Sequence, residues 1–193
     1  MMGSLNPSTN MQEVDSATFM SYNSTGIDNP VKTRWINDIC DEFDVDYLNI
    51  QEHFKSSKTT EKYFRDKFPG YYSVIVPGHR SPGQDTGRAK AGLGQLSRKT
   101  LAVKRDRVTS KNYRVQAQVL HLPSTTVLWI NSYLPTDPQL IRDYDDTELQ
   151  TCLNEVENII SNTNHDDVIW GISITHGFMY NLRDIKNSLI IVL

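Results

Sequence analysis

Two polar side chains, Asn23 and Glu52, stand where predicted parallel strands end. Asn23 closes a short β-prone run that breaks at residues 24–26, and Glu52 follows the alternating run 45–50. Parallel strands joined by a helix present ligands at their carboxyl ends, so a carboxylate in the position of Glu52 is suited to hold a ligand. Taken singly, Asn23 is also typical of a turn amide and Glu52 of a solvated strand-end carboxylate.

Besides Asn23 and Glu52, the sequence contains a strongly basic segment at residues 88–114. It carries nine basic residues against one acidic residue, Asp106, and therefore a charge of +8, whereas the 193-residue chain has a net charge of −3 and the remainder carries −11. Such a run is either a solvated hairpin face or a groove that neutralises phosphates, and strand alternation would turn about half of it to one side. The residues predicted to bind nucleic acid are Arg88, Lys90, Arg98 and Lys99.

The other reactive side chains favour neither a metal cluster nor a disulfide. The five histidines show no metal-ligand spacing and are interpreted as surface or loop residues. Cys40 and Cys152 lie in helix-like apolar stretches, which predicts buried, reduced thiols without a disulfide partner. A polar start and the lack of a long apolar run predict neither a signal peptide nor a membrane span, and hence an intracellular protein, cytoplasmic or nuclear.

The elements that must position these residues follow from apolar periodicity. An apolar stripe at 31, 35, 36, 39, 40 and 43 predicts a helix that opens at Pro30 and packs on a sheet. Further helices are predicted at 59–68 and 140–160, and a surface loop at 77–90. The predicted strands are 17–23, 45–50, 70–76, 92–97, 100–103, 113–121, 126–133 and 167–170. The pattern indicates mixed parallel and antiparallel sheets with covering helices.

Several segments together resemble the endonuclease/exonuclease/phosphatase superfamily. They are Ser-Tyr-Asn at 21–23, Leu-Asn-Ile-Gln-Glu at 48–52, Ala-Gly-Leu-Gly at 91–94, Asn-Ser-Tyr-Leu-Pro-Thr-Asp at 131–137 and Asp-Val-Ile-Trp-Gly at 167–171. The strings QEH, GLGQLS and YLPTDPQ are most similar to the apurinic-type endonuclease domains of non-LTR retrotransposons. The resemblance covers residues 18–171 and implies an α/β fold, a four-layer sandwich of mixed sheets flanked by helices that is incomplete at its C-terminus.

The resemblance also implies a chemistry and a set of site residues. Glu52 would bind Mg²⁺ or Mn²⁺, Asn23 would help to set the metal and phosphate shell, and Tyr133 would donate to the phosphate of DNA. A hard ion such as Mg²⁺ takes one or two carboxylates besides water and phosphate oxygens, so one strand-end glutamate can suffice. Tyr133 shares the strand phase of Val127 and Trp129, and a core tyrosine is the alternative interpretation. Asn131 is interpreted as structural.

The chain departs from the family pattern after Gly171. Where the family has Gly-Asp-Phe-Asn, this chain reads Gly-Ile-Ser-Ile at 171–174, and the family's terminal Ser-Asp-His has no counterpart. Codons for Asp-Phe-Asn such as GAT-TTC-AAT, read one base later, encode Ile-Ser and then Ile or Met, which suggests a frameshift or an aberrant splice. The predicted organisation is therefore a disordered leader at 1–16, a partial domain at 17–171 and an atypical tail at 172–193.

Three functions remain open from the sequence. The first is a retrotransposon-type endonuclease-like domain for Mg²⁺-dependent hydrolysis of DNA, with little or no activity because catalytic groups that act together are missing. The second is a small-molecule phosphatase of the same superfamily, and the third is a non-catalytic nucleic-acid-binding module. A long basic groove leading to Glu52 would favour nucleic acid, whereas an enclosed pocket would favour a small substrate.

Overall fold

A computed structural model describes residues 17–56, 59–80, 83, 89–134, 147–174 and 188–191, which form three helices and nine strands. The predicted leader at 1–16, most of the tail and Arg88 lie outside the described residues. The helices are α1 (Pro30–Glu42), α2 (Thr60–Lys67) and α3 (Thr147–Asn162). The strands are β1 (Phe19–Asn23), β2 (Tyr47–Gln51), β3 (Tyr71–Val76), β4 (Leu93–Arg98), β5 (Lys104–Val108), β6 (Val115–His121), β7 (Thr126–Leu134), β8 (Asp167–Ile174) and β9 (Ser188–Ile191).

The first sheet contains the predicted β-α-β unit and has the strand order β1-β2-β4-β3. β1 and β2 are parallel, and β4 pairs antiparallel with β2 and with β3. α1 joins β1 to β2 and begins as the sequence predicts: Pro30 occupies the first turn and the Asn29 side chain accepts a hydrogen bond from the Val31 amide at 2.9 Å.

The second sheet has the order β5-β6-β7-β8-β9. β5, β6 and β7 form two antiparallel hairpins, and β8 and β9 continue the sheet in parallel with β7. The connection between β7 and β8 contains α3, as a parallel crossover requires.

Four layers result, and the prediction of a four-layer sandwich is confirmed. Strand alternation sends Leu48 and Ile50 of β2 outward to α1 and α2, whereas Tyr47 packs inward against Trp129 of β7. The other outer core joins α3 to the second sheet through Leu149, Cys152, Val156 and Ile159. Cys40 and Cys152 are both buried, as predicted, and neither is in a disulfide among the described residues. No helix in the described ranges has the length and apolarity that a membrane crossing needs.

The layer between the two sheets is polar as well as apolar. Asn131 is fully buried and donates to the carbonyl oxygens of Ile50 and Gly94 at 3.2 and 3.0 Å, and its Oδ1 accepts from Gln51 Nε2 at 2.7 Å. Asn49 donates across the same layer to the Ile130 carbonyl at 3.1 Å. Buried polar groups need such partners, so these bonds set the register between the sheets and confirm the structural role expected of Asn131.

The structure corrects three predictions of secondary structure and packing. Residues 100–103 are not a strand; β5 begins at Lys104, and its mostly exposed side chains lack the alternation that would have revealed it. In α1, Ile36 and Cys40 are buried, whereas Val31 and Trp35 are largely exposed, although the Trp35 ring lies 5.4 Å from that of Tyr22 on β1. Phe43, the residue that follows the helix, is exposed as well. β8 runs past 170 to Ile174, and β9 adds a further strand from the predicted tail. The frameshift origin of that tail stays a prediction.

Candidate functional site

The carboxyl ends of β1 and β2 place Asn23 and Glu52 at one edge of the first sheet. Asn23 pairs in register with Gln51, the residue before Glu52. The backbone bonds continue past the strands, from the Ser24 amide to the Gln51 carbonyl at 2.9 Å and from the Gly26 amide to the Glu52 carbonyl at 2.7 Å. The predicted neighbourhood of Asn23 and Glu52 is therefore a property of the sheet register.

Tyr133 reaches the same edge from the second sheet. Asn49 contacts Ile130, and the next residue, Ile50, contacts Asn131. β2 and β7 therefore run in the same direction on the two sides of the layer between the sheets. Tyr133 follows Asn131 by two residues, just as Glu52 follows Ile50, and shares the inward phase of Trp129. Tyr133 is half-buried at the rim of this layer and not enclosed within it. The fold thus brings Asn23, Glu52 and Tyr133 to one edge of the sandwich.

Glu52 is a nearly buried residue whose carboxylate has no counterion among the described residues. The residue is 6% exposed, and within the described part of the chain its side chain has no hydrogen bond or ion pair. A carboxylate withdrawn from water without a partner is costly, and a bound cation is the usual remedy. The described residues contain no group of three or more His, Cys, Asp or Glu side chains that could hold a metal. A single carboxylate can hold a hard ion such as Mg²⁺, which keeps several of its waters.

Asn23 has a turn role alongside its position in the site. Its Oδ1 accepts hydrogen bonds from the Thr25 amide at 3.0 Å and from the Thr25 hydroxyl at 3.3 Å. This is the side-chain-capped turn that asparagine favours after a strand. The amide oxygen is thus held in place by the turn, and the side chain has a fixed orientation at the edge.

Backbone strain is concentrated around Glu52. Among the described residues, five non-glycine residues have positive φ, and four of them lie in the segments that meet at this edge: Thr25 (43°), Glu52 (53°), Phe54 (55°) and Ala91 (56°). The Phe54 amide donates to the Ala91 carbonyl at 3.0 Å and ties the two strained segments together. Few non-glycine residues have a positive φ, and those that do are concentrated at functional sites. The strained backbone therefore supports a functional role for this edge of the sheet.

His53 fixes the segment after Glu52. It lies in a loop, as expected, but it is buried and not at the surface. Its Nε2 lies 3.1 Å from the Val76 carbonyl, and its Nδ1 accepts from the Lys55 amide at 3.0 Å. Burial lowers the pKa of His53 from 6.5 to about 4, although its hydrogen bonds to backbone work in the opposite direction. A neutral ring with both nitrogens engaged serves as a structural anchor.

The pH dependence of stability should report this anchor. The folded pKa of His53 is depressed, so the unfolded chain takes up the proton first and stability falls as the pH drops from 6.5 towards 4. Between pH 7 and pH 4.5 we expect His53 to remove about 2.5 kcal/mol from the free energy of unfolding. Urea unfolding of the wild type and of His53→Gln at both pH values measures the difference, because the carboxylates are common to both chains. Equal losses in the two proteins would contradict the buried neutral ring.

The predicted nucleic-acid-binding residues do not converge on Glu52. Lys90 lies at the Glu52 edge, where it pairs with His79 beside the strained Ala91. Arg98 lies at the opposite edge, because β4 runs antiparallel to β2 and Leu93, not Arg98, pairs with Gln51. The Arg98 guanidinium donates to the carbonyl oxygens of Cys40 and Val45 at 3.1 Å and so completes the end of α1. Lys99 follows Arg98 at that far edge, and its ammonium lies 5.7 Å from the Tyr72 ring.

Arg114 lies beside Tyr133, a placement that the sequence analysis missed. Its carbonyl accepts from the Tyr133 amide at 3.0 Å, and its Nε donates to Glu148 of α3 at 2.8 Å. Burial disfavours the charged form of Glu148, but Arg114 outweighs it and lowers the pKa of that carboxyl. The predicted hairpin of 113–121 with 126–133 contained the signal, because its register sets Arg114 next to Tyr133.

The sequence departure after Gly171 falls directly beside Tyr133. In the β7–β8 register, Ile172 pairs with Ser132 and Ser173 pairs with Tyr133. The family resemblance implies an aspartate at the position of Ile172 and an asparagine at that of Ile174, which pairs with Leu134. The edge therefore keeps the glutamate and tyrosine positions and has no carboxylate on β8 next to them.

Comparison with known structures places the fold. The chain is similar to the AP endonuclease LMAP from Leishmania major, with 17% identity and a TM-score of 0.56 over 81% of this chain and 54% of that one. It is similar to the catalytic domain of Xenopus laevis APE2, with 16% identity and a TM-score of 0.51 over 82% and 59%. D. rerio TDP2 complexed with a single-strand DNA product gives 14% identity and 0.50 over 77% and 56%.

The fold is thus of the endonuclease/exonuclease/phosphatase type, as the sequence motifs predicted. The chain spans between 54% and 59% of the length of these three solved proteins. No protein-family model and no curated protein matches the chain.

Proposed function

We propose that this chain is an endonuclease-like domain of the retrotransposon type, weakly active in this copy and built for Mg²⁺- or Mn²⁺-assisted hydrolysis of DNA phosphodiesters. One observation carries the proposal. Glu52 is 6% exposed, follows the carboxyl end of β2, and has no partner for its carboxylate among the described residues. The fold supports it, since the solved proteins that share the fold include an AP endonuclease and a protein holding a DNA product. The retrotransposon type is proposed on the strings QEH, GLGQLS and YLPTDPQ alone.

Each residue at the edge has a separate task in this proposal. Glu52 would hold the metal ion, which when bound withdraws charge from a phosphate oxygen and thereby stabilises the transition state. Asn23, oriented by Thr25, would offer its amide to the phosphate shell, and Tyr133 would donate its hydroxyl to a phosphate oxygen. Hydrolysis also needs a group that orients the attacking water, and Ile172 and Ile174 of β8 stand where the resemblance implies an aspartate and an asparagine. Weak activity follows from that loss.

The same β8 register favours a second candidate, a non-catalytic nucleic-acid-binding module. A chain that keeps the edge and its cations but lacks the groups that orient water would bind DNA without cutting it. The two candidates differ in one measurable property, because only the first requires a divalent ion for its effect on DNA.

Nicking of supercoiled plasmid in Mg²⁺ tests the proposal. We expect slow nicking by the wild type that EDTA abolishes, and a further loss of about 100-fold in Glu52→Gln, which keeps the shape and removes the charge. Glu61→Gln on the first turn of α2 is the matched control and should nick like the wild type.

Two outcomes would contradict the enzymatic proposal. Equal nicking by the wild type and Glu52→Gln would remove Glu52 from the site. Salt-sensitive DNA binding with no nicking in either protein would instead identify the binding module.

A further inference from the structure

Arg114 is a nearly buried cation between two aromatic rings. The residue is 7% exposed, and its guanidinium carbon lies 5.1 Å from the centre of the Tyr113 ring and 5.2 Å from that of Tyr133. Charged arginine is favourable over ring faces, and two rings hold its planar group in a narrow range of orientations. The side chain is therefore preorganised before any ligand arrives.

The donors of Arg114 are mostly unused. A guanidinium carries five N–H groups, and the described residues accept a hydrogen bond from one of them, the Nε–H that points to Glu148 at 2.8 Å. The four N–H groups on the two Nη atoms have no acceptor in that part of the chain. No Arg114 nitrogen is among the side-chain atoms that are both unpartnered and fully shielded from solvent, so these donors can be reached from outside.

The charge around Arg114 favours an anion. Glu148 is its ion-pair partner, but that carboxylate is half-exposed and also accepts from the Tyr113 hydroxyl at 2.9 Å. The charge of Lys90, which pairs with His79 in an isolated β-bridge, also lowers the pKa of Glu148. The other acid of this part of α3, Glu155, is bound to Ser110 and to the Lys111 amide. The ion-pair partner of Arg114 is thus one partly solvated carboxylate.

Contacts link Arg114 to the Glu52 edge. The Tyr133 amide binds its carbonyl, the Tyr113 ring stacks on His79 with ring centres 4.9 Å apart, and His79 pairs with Lys90 next to Ala91. The Ala91 carbonyl accepts from Phe54, two residues after Glu52. An anion on the Nη groups would therefore sit beside the proposed catalytic edge.

We propose that Arg114 is a phosphate-binding site, in which the two Nη groups hold two oxygens of one phosphate between the Tyr113 and Tyr133 rings. A planar fork with two free donors facing one way matches the two oxygens of a phosphate group. The inference rests on the proposed function only in naming a nucleic acid backbone as the source of that phosphate. A free phosphate or nucleotide is the other source with the same chemistry.

Binding measured in EDTA tests the site apart from catalysis. Titration calorimetry uses inorganic phosphate in one arm and a single-stranded oligonucleotide in the other, at fixed ionic strength. We expect Arg114→Lys, which keeps the charge but removes the fork, to weaken Arg114-dependent binding about tenfold. Arg105→Lys is the matched control, because Arg105 also lies over a tyrosine, 4.7 Å from the Tyr72 ring, but at the far edge.

Glu148→Gln gives the test its sign and covers the case in which Arg114→Lys fails to fold. Removing the competing negative charge should tighten anion binding severalfold, whereas an arginine with a purely structural role would show no such gain. Effects in the oligonucleotide arm assign the phosphate to a nucleic acid backbone, and effects confined to inorganic phosphate assign it to a free ligand. Unchanged binding in Arg114→Lys, or no tightening in Glu148→Gln, would overturn the site. A failed nicking assay would contradict the proposed function and leave this result standing.

Discussion

Gly171→Ala is expected to lower the free energy of unfolding by about 4 kcal/mol, because a methyl group there has no room between the two sheets. A Cβ on Gly171 would lie 2.2 Å from Asn49 Nδ2 and 2.8 Å from Ser21 Oγ, and both side chains are buried. Asn49 could yield only by giving up its hydrogen bond to the Ile130 carbonyl. The cost therefore combines overpacking with a broken bond between the sheets.

Urea denaturation measures the Gly171 effect, with Gly70→Ala as its matched control. Gly70 has no atom within 4 Å of its potential Cβ and no positive φ, so the same substitution there should change stability by less than about 0.5 kcal/mol. Similar stabilities of Gly171→Ala and Gly70→Ala would mean that β8 does not approach β2 as described.

Gly92→Ala should cost about 3 kcal/mol, and its effect should fall on the segment that carries Glu52. Gly92 has a φ of 99°, and a Cβ there would lie 2.6 to 2.9 Å from three atoms of the His53 ring. That ring is held on two sides, by the Val76 carbonyl and the Lys55 amide. Relief of the clash must displace His53, and Glu52 is its neighbour in the chain.

Two matched substitutions separate the contributions at Gly92. Gly83→Ala tests positive φ alone, because Gly83 has a φ of 79° and open space around it, and we expect it to cost about 1 kcal/mol. Gly92→Ala combined with His53→Ala removes the ring, so the clash should disappear from the double-mutant cycle. Additive effects in that cycle would show that His53 and Gly92 do not touch.

Most of the first sheet was accessible from local sequence. Pro30 and the apolar stripe that includes Ile36 and Cys40 predicted α1 from short-range signals, and the alternating run before Glu52 predicted β2. β5 was not predicted, because this edge strand, with Lys104 and Arg107 exposed, buries too few side chains to show an alternation of apolar and polar residues. Local patterns report how a segment buries its own apolar groups, so they fail where the segment buries little.

The candidate site likewise contains residues whose placement the sequence predicted and residues whose placement it did not. Glu52 and Asn23 were predictable, because a β-α-β unit brings the ends of two neighbouring strands together. The basic residues were not: Lys90 and Arg98 are eight positions apart, yet the antiparallel β2–β4 pairing sends them to opposite edges. Charge counted along a sequence says nothing about which end of a strand carries it.

The sequence by itself determined the class of fold, the strand-end positions of Asn23 and Glu52, and the presence of Ile172 and no carboxylate directly after Gly171, because each depends on residue type and short-range order. Tertiary structure alone decided that β7 carries Tyr133 to the end of the sandwich where β2 gives way to Glu52, and that Arg114 lies near the rings of Tyr113 and Tyr133. Those placements depend on the register between two sheets, which buried amides such as Asn49 and Asn131 set through bonds between residues about 80 positions apart.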